Sequence, residues 1–400
     1  MSTDPKKTDA FETVFTRTTA GYFLREFCFR STKFTPPTRT SEVELADFVI
    51  QLDDLVMIFQ VKEREEPSTD PEAERTWFDR KVIKKATQQI RDTVNHLRDC
   101  PPEIANDRGR RIALPVGLDA ASVLKLVVFK GGKHLPVDQA RHHFHDSRTA
   151  GFIHVIAAGD WAGLMNTLVT PREIADFLRW REGVCRAHTA MARSVSEKAL
   201  VGQFLAEEAA EQPSPSFETI VDRLLDETAS FDMLGFLNLF PDRITVEAPP
   251  GHIKPADMCD AGADYYPIVR EIAKLPRTDL SAFKTRFGLA WQRAGKVYDP
   301  PFMRMVSSTG VGFVFAPVPE GLEDRAQDGL MNFVAAHMYV QQIRRCIGAS
   351  FVNEGEWRFI WWVMLDQEWR HNPEMEKYLR EHPISAVRED FVPRYRLQQR

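Results

Sequence analysis

No apolar run in this chain of 400 residues approaches the roughly 18 that a membrane-spanning helix requires, so no membrane partner is expected. The opening MSTDPKKTDAFE has no apolar core, which argues against a secretory signal. Cysteine is scarce. Cys28, Cys100, Cys185, Cys259 and Cys346 are odd in number and scattered, with no Cys-x-x-Cys among them. That excludes a disulfide scaffold and a thiolate zinc framework, and the expectation is reduced thiols in a cytoplasmic protein. Neither sign of charge dominates. The net charge is −5, so the chain is no polycation, and a nucleic-acid site has to be a local basic patch. Repeats and long low-complexity tracts are absent too. What remains is ordinary: 43% hydrophobic and 27% charged residues mark a soluble globular protein. A chain of 400 residues exceeds what one core usually holds, so two domains are expected.

The most informative stretch is Ser41 to Glu65, SEVELADFVIQLDDLVMIFQVKERE. Phe48-Val49-Ile50 and Val56 to Val61 are β-branched and aromatic runs, and Asp53-Asp54 between them reads as a turn. Folding the hairpin symmetrically about that turn sets Asp47 opposite Gln60. Alternation along the strand brings Lys62 out on the face of Gln60. A carboxylate, an amide oxygen and an ammonium are thereby expected to meet where the strand pair ends.

This pattern resembles the PD-(D/E)xK nuclease superfamily, whose members share the restriction-endonuclease-like fold. There an Asp opens one strand and an acid-x-Lys ends the next. Here the matching residues are Asp47 and Gln60-Val61-Lys62, with Ala46 in place of the usual Pro and Gln60 in place of the acid. The form is similar to the Gln-x-Lys variant of Mrr-like members and covers roughly Phe11 to Phe129. The resemblance implies a mixed sheet flanked by helices and a metal-dependent endonuclease, most often acting on DNA. It implies Asp47 and Gln60 as ligands of Mg²⁺, or of Mn²⁺, a hard cation that usually takes one or two carboxylates plus waters and phosphate oxygens. Lys62 would orient a water or stabilise developing charge. Glu12, Glu26 or Glu44 is a candidate to complete the metal site, although Glu44 faces away from Asp47 in strict register.

The segment EREEPSTDPEAE after Lys62 reads as a loop. The next one carries Val82, Ile83, Ala86, Ile90, Val94 and Leu97 at helical spacing and is an amphipathic helix. Lys81, Lys85, Gln88 and Gln89 lie beside its apolar stripe. The resemblance implies a Gln or Lys from this helix in the site, and Lys85 and Gln89 are the matches, with Gln88 next to them. From Arg80 to Arg111 nine Lys/Arg stand against four Asp/Glu, a surplus of five and the best local patch for phosphate contacts. Strands are expected over Arg111 to Val116, Val123 to Phe129 and Phe152 to Ile156, the second of them central. Lys130-Gly131-Gly132-Lys133 lacks the spacing of a phosphate loop. His134, His142, His143, His145 and His154 cluster without Cys or a His-Glu-x-x-His, so a polar loop is expected there rather than a metal site.

Thr170-Pro171-Arg172-Glu173 has the cap, proline and acid of a helix start. The polar stretch 211–216 is the best linker, giving an α/β domain over 1–210 and an α+β domain over 217–400 with a regulatory or recognition role. Short helices are expected over Phe217 to Leu239, Ile268 to Leu275 and Leu280 to Ala290, and a strand within Met303 to Pro317. A helix over Leu330 to Ile347 with Gly348 at its end, and a Trp-rich strand over Trp357 to Leu365 buried on both faces, complete the reading. The functional expectation is a nuclease, with a setting in restriction or antiphage defence suggested by the resemblance alone. The competing expectation is an inactive nuclease-like scaffold that binds nucleic acid or protein, which Gln60 favours. A subunit of a larger complex is a third. A homo-oligomer or a defence-system partner is left open.

Overall fold

The computed structural model describes residues 10–22, 26–30, 33–35, 41–100, 102–106, 109–115, 117–118, 121–206, 212–224, 266–298, 301–354 and 357–382. Cys259, the stretch 249–263 and most of 217–239 lie outside them. The chain divides into two compact units between Leu225 and Asp226. The first is mixed α/β with a large mixed sheet flanked by helices, and the second has a smaller sheet of its own.

The first unit opens with α1 (Ala10–Tyr22). Then come β1 (Cys28–Arg30), β2 (Lys33–Phe34), β3 (Val43–Glu44), β4 (Phe48–Leu52) and β5 (Leu55–Glu63). The β4–β5 hairpin has the register read from the sequence, with Leu52 opposite Leu55 and Phe48 opposite Phe59. Asp53 makes the turn at φ 53°, a left-handed conformation that a short polar side chain tolerates. One continuous helical rod follows: α2 (Pro71–Trp77), a π-helical segment (Phe78–Lys85) and α3 (Ala86–Asp99). The expected loop after Lys62 is therefore shorter than its composition suggests. Asp70 caps α2 by accepting from the Glu72 amide, and Pro71 suits the first turn, so Glu72 and Glu74 are helical.

Next are β6 (Glu103–Asn106), which the sequence did not announce, β7 (Arg111–Ala113), β8 (Val123–Lys130), α4 (Val137–Ala140), β9 (Phe144–Ser147) and β10 (Gly151–Ala157). The sheet order is β7-β6-β1-β4-β5-β8-β10-β9. β5 and β8 run parallel, with the rod as their crossover, and β8 and β10 are parallel as well. β8 is buried up to its last residue, as its apolar run predicts for a central strand.

The two faces of this sheet have different cores. On one, Val49, Val56, Ile58, Val127 and Phe129 pack under Phe78, Val82, Ala86, Ile90 and Val94 of the rod. On the other, Phe48 stacks on Phe59 at 4.1 Å, with Phe15 of α1 at 6.0 Å from Phe48. Trp161, on α5 (Ala158–Thr167), meets Phe59 edge-on at 5.1 Å, and its indole N–H donates to Thr19 of α1.

The unit closes with α6 (Pro171–Ala187), α7 (Thr189–Ala192) and α8 (Glu197–Ala206). Thr170 caps the helix by accepting from the Glu173 amide at 3.1 Å, as its sequence predicts, while Glu173 accepts from the Val169 amide just before the cap at 3.1 Å. The linker 211–216 does not end the unit. A 3₁₀ turn (Pro215–Phe217) and α9 (Glu218–Asp222) fold back on α8. A Cβ on Gly202 would lie 2.0 Å from the Phe217 carbonyl oxygen, so only glycine permits that approach.

The histidine-rich stretch is a polar loop only in part, with His134 exposed in a turn. His143 and His154 are buried with Arg181 and Glu197. Arg181 grips Glu197 through two N–H···O bonds of 2.7 Å each, His143 bonds Glu197 at 3.0 Å, and Arg181 donates to His154 Nδ1 at 3.1 Å. Burial would raise the Glu197 carboxyl, but Arg181 and His143 outweigh it and bring it down to about 2. Burial, with the Arg181 guanidinium adding to it, holds His154 neutral well below its usual value of 6.5.

The second unit contains α10 (Tyr266–Ala273), α11 (Arg277–Arg293), β11 (Met303–Val306), β12 (Val311–Pro317), α12 (Ala326–Gln341), β13 (Arg345–Glu354), β14 (Trp357–Asp366) and α13 (Pro373–Glu381). Its sheet runs β11-β12-β13-β14, with β12 and β13 parallel around α12. Phe283 and Phe287 of α11 pack on Phe315 from one side, while Leu330, Val334 and Met338 of α12 pack on Val314 and Cys346 from the other. Two expectations fail here. The helix stops at Gln342, which takes a left-handed φ of 52°, and the next residues form β13. Gly348 lies inside that strand, where a Cβ would meet Val334 at 2.5 Å, so its role is close packing and not helix termination. β14 is an edge strand: Val363 and Leu365 are buried, and Ile360 to Trp362 are half-buried. Trp361 packs by Val352, and Trp362 stacks on Phe287 at 6.1 Å, so these rings serve the core.

Acid should loosen the first unit in two stages. The unfolded chain takes a proton on His154 below pH 6.5 where the folded chain does not, so stability falls as pH drops below that value. A second loss follows below pH 4.5, as the unfolded Glu197 protonates, and runs down to about 2. Urea midpoints at pH 7, 5.5 and 4 measure both. Arg181→Met, which strands a buried carboxylate, should cost about 3–5 kcal/mol at pH 7.

Candidate functional site

Asp47 stands at the mouth of β4. Its amide donates to the Phe59 carbonyl at 3.0 Å, so the residue is fixed in the ladder one step before the strand begins. Its carboxylate Oδ2 accepts from the Val61 amide, replacing the carbonyl that a longer strand would have offered. The same oxygen lies 3.5 Å from Lys62 Nζ. Lys62 also donates to Gln60 Oε1 at 3.2 Å and to the Val61 carbonyl at 2.9 Å. Asp47, Gln60 and Lys62 therefore meet on one face of the sheet, as the hairpin register requires. The site is sheltered: Gln60 is 3% exposed, and the side chains of Lys62 and Asp47 are 13% and 10% exposed. Three oxygens offset the desolvation of a largely buried ammonium.

The rod lies against this face. Phe78 meets Phe129, the register partner of Lys62, at 5.1 Å. Further along, Thr93 Oγ1 donates to the Leu45 carbonyl, two residues before Asp47, and bonds the Gln89 carbonyl at 2.9 Å. The stretch from Phe78 to Thr93 therefore passes beside the three-residue cluster. Gln89 is one turn before Thr93 on the same side of α3, half-buried, and its Oε1 is buried with no hydrogen-bond partner among the described residues. Lys85 and Gln88 are exposed, and the structure does not bring them to the cluster. The π winding turns Lys85 outward with its cationic neighbours.

The three glutamate candidates separate by position. Gln51 donates to the Phe27 carbonyl, so Glu26 precedes β1 at the turn end of the hairpin. Glu26 falls opposite Leu52, about 17 Å along the sheet from Asp47 at a strand rise of about 3.4 Å per residue, too far for a shared ion. Glu12 begins α1 beside Phe11, whose ring is 5.0 Å from Lys130 Nζ, so it stands at the Lys62 end of the sheet on the opposite face. Glu44 pairs in β3 with Lys33, and its side chain lies outside the described part.

Several contributors carry no motif. Glu74, buried, accepts from Arg64 Nε at 3.0 Å, from the Ser68 amide at 2.6 Å and from the Gly132 amide at 3.1 Å. It joins the loops that leave β5 and β8, and it fills the glycine turn that superficially suggested phosphate. Thr93 had a legible signal: a polar residue inside the stripe Ile90, Val94, Leu97. Lys125 is buried in β8 on the face of Ile58, its register partner, and nothing in an apolar run marked it.

Among the described residues no three His, Cys, Asp or Glu side chains gather as a metal site. Asp47 and Gln60 fit a Mg²⁺ site of low protein charge, because this ion keeps waters and takes phosphate oxygens readily. The fit has a physical signature: their oxygens already converge on one cation, the Lys62 ammonium.

Compared with family models, curated proteins and solved structures, the chain has no match. No helix among the described residues is long and apolar enough to cross a membrane.

Because Lys62 and a metal ion would compete for the same oxygens, Lys62→Met should bind Mn²⁺ about tenfold more tightly than wild type. Asp47→Asn, which can still accept from the Val61 amide, should keep the fold and lose the ion. Calorimetric titration reads both, and equal affinity in wild type and Lys62→Met would remove the ammonium from the ion's place.

Proposed function

We propose that this chain is a metal-dependent nuclease of the PD-(D/E)xK type in its Gln-x-Lys form, hydrolysing phosphodiester bonds in DNA. The observation that carries the reading is the meeting of Asp47 Oδ2, Gln60 Oε1 and Lys62 Nζ within 3.5 Å at the end of one hairpin. Supporting it are a helix before the sheet, a helix after the Gln-x-Lys strand, and Gln89 on that second helix, its Oε1 buried without a hydrogen-bond partner among the described residues.

Asp47 and Gln60 would hold Mg²⁺ or Mn²⁺, which supplies a bound water of lowered pKa and neutralises phosphate charge. The remaining work belongs to the chain. The Lys62 ammonium moves from Asp47 and Gln60 to a phosphoryl oxygen, where it donates as negative charge builds in the transition state. Val61 keeps the Asp47 carboxylate aimed through its amide. Gln89 Oε1 is an acceptor for the attacking water. The low exposure of the cluster excludes bulk water and strengthens each of these interactions. Glu12 is the carboxylate best placed to assist from across the strand ends. A cytoplasmic setting in restriction or antiphage defence accords with this reading by analogy.

A second reading, a non-cutting scaffold, is favoured by one observation: Gln60 gives the cluster a single carboxylate. Incubation of supercoiled plasmid, linear duplex and single strands with Mg²⁺ or Mn²⁺ separates the two. The nuclease should nick or cut, and Lys62→Ala should slow it by about 10²–10³-fold. Cleavage equal in wild type and Lys62→Ala would sink the proposal. Binding without cleavage under every condition would leave the scaffold.

A further inference from the structure

Within the π-helical segment, Arg80, Lys81, Lys84 and Lys85 are exposed, and none has an ion pair among the described residues. This sets them apart from three other cations of the basic stretch. Arg91 pairs with Asp92 at 3.0 Å, Arg98 with Asp99 at 2.7 Å and Arg111 with Glu103 at 3.4 Å. Asp79 is the one acid in the segment, leaving a surplus of three positive charges over eight residues. In a chain of net charge −5 that concentration is local.

The winding groups these charges. An i→i+5 repeat returns Lys85 beneath Arg80, with Lys84 beside it, and Lys81 completes the ridge. Phe78 and Val82 are left on the opposite side, both fully buried against the sheet. Glu74 fixes the preceding turn to two loops, and Thr93 fixes the following turns to Leu45, so the ridge is held rigidly. Both anchors tie the rod to the sheet, and the ridge lies on the rod's outer side, turned away from the cluster of Asp47, Gln60 and Lys62.

We propose that this ridge is a track for the phosphate backbone of duplex DNA, read by charge and not by sequence. The proposal rests on the nuclease reading for the identity of its polyanion. Three of the four are lysine ammoniums, point charges without the paired donors that base edges require, and only Arg80 carries such a fork. Binding should therefore be salt-dependent and indifferent to sequence.

The test uses the full chain carrying Lys62→Ala, so that binding is measured without cleavage. Fluorescence anisotropy on two unrelated duplexes is recorded from 50 to 300 mM salt, with and without Arg80→Ala/Lys81→Ala/Lys84→Ala. The triple variant should bind both duplexes roughly 10–100-fold more weakly and lower the salt slope by about 3. Arg98→Ala/Arg111→Ala, which removes cations already paired, should leave the slope in place. Unchanged affinity in the triple variant, an equal loss in the paired-cation control, or a loss confined to one sequence would each overturn the track. The outcomes separate from those of the nuclease reading. Cleavage by the wild type with an unaffected triple variant defeats the track alone. A lowered slope without cleavage in the wild type defeats the enzyme alone.

Discussion

A single carboxylate closes the hairpin at the centre of the first unit. Asp47 accepts from the Val61 amide and faces the Lys62 ammonium, so one side chain both ends the ladder and sets the charge of the cluster. The arrangement follows from register. With Leu52 opposite Leu55, Asp47 falls across from Gln60, and a shift of one residue would send Asp47 to the Phe48–Phe59 face. The aromatic stack on that face and the rod on the other hold the register, and the packing of both cores therefore stands behind the three polar side chains.

The parts that were legible in the sequence are those set by neighbours along the chain. The hairpin, the rod and the Thr170 cap are local patterns of alternation, helical spacing and side-chain chemistry. The end of α12 was not legible. Gln342 adopts a left-handed conformation without being glycine, and β13 is covered on both faces, so no alternation separates it from the helix before it. The edge position of β14 was hidden for the same reason, since a dense aromatic run does not say how many neighbours it has. Arg181, Glu197, His143 and His154 could not be paired from sequence, because only the fold brings together residues from α6, α8, β10 and the loop before β9.

At the cluster, the sequence supplied Asp47, Gln60 and Lys62. It did not supply the sorting of Lys85 from Gln89, which depends on a π-helical turn that no residue announces. Nor did it separate Glu12 from Glu26. That distinction comes from the pairing of β1 with β4, and short strands carry little signal of their partners.

The neutral amide of Gln60 has a consequence for the resting protein. One negative and one positive group cancel, so the cluster is electrically balanced by its own side chains. A pair of carboxylates in the same sheltered position would repel each other and would need a counter-ion or a shared proton to stay folded. This unit carries its counter-ion covalently, and its architecture is in that sense indifferent to chelators.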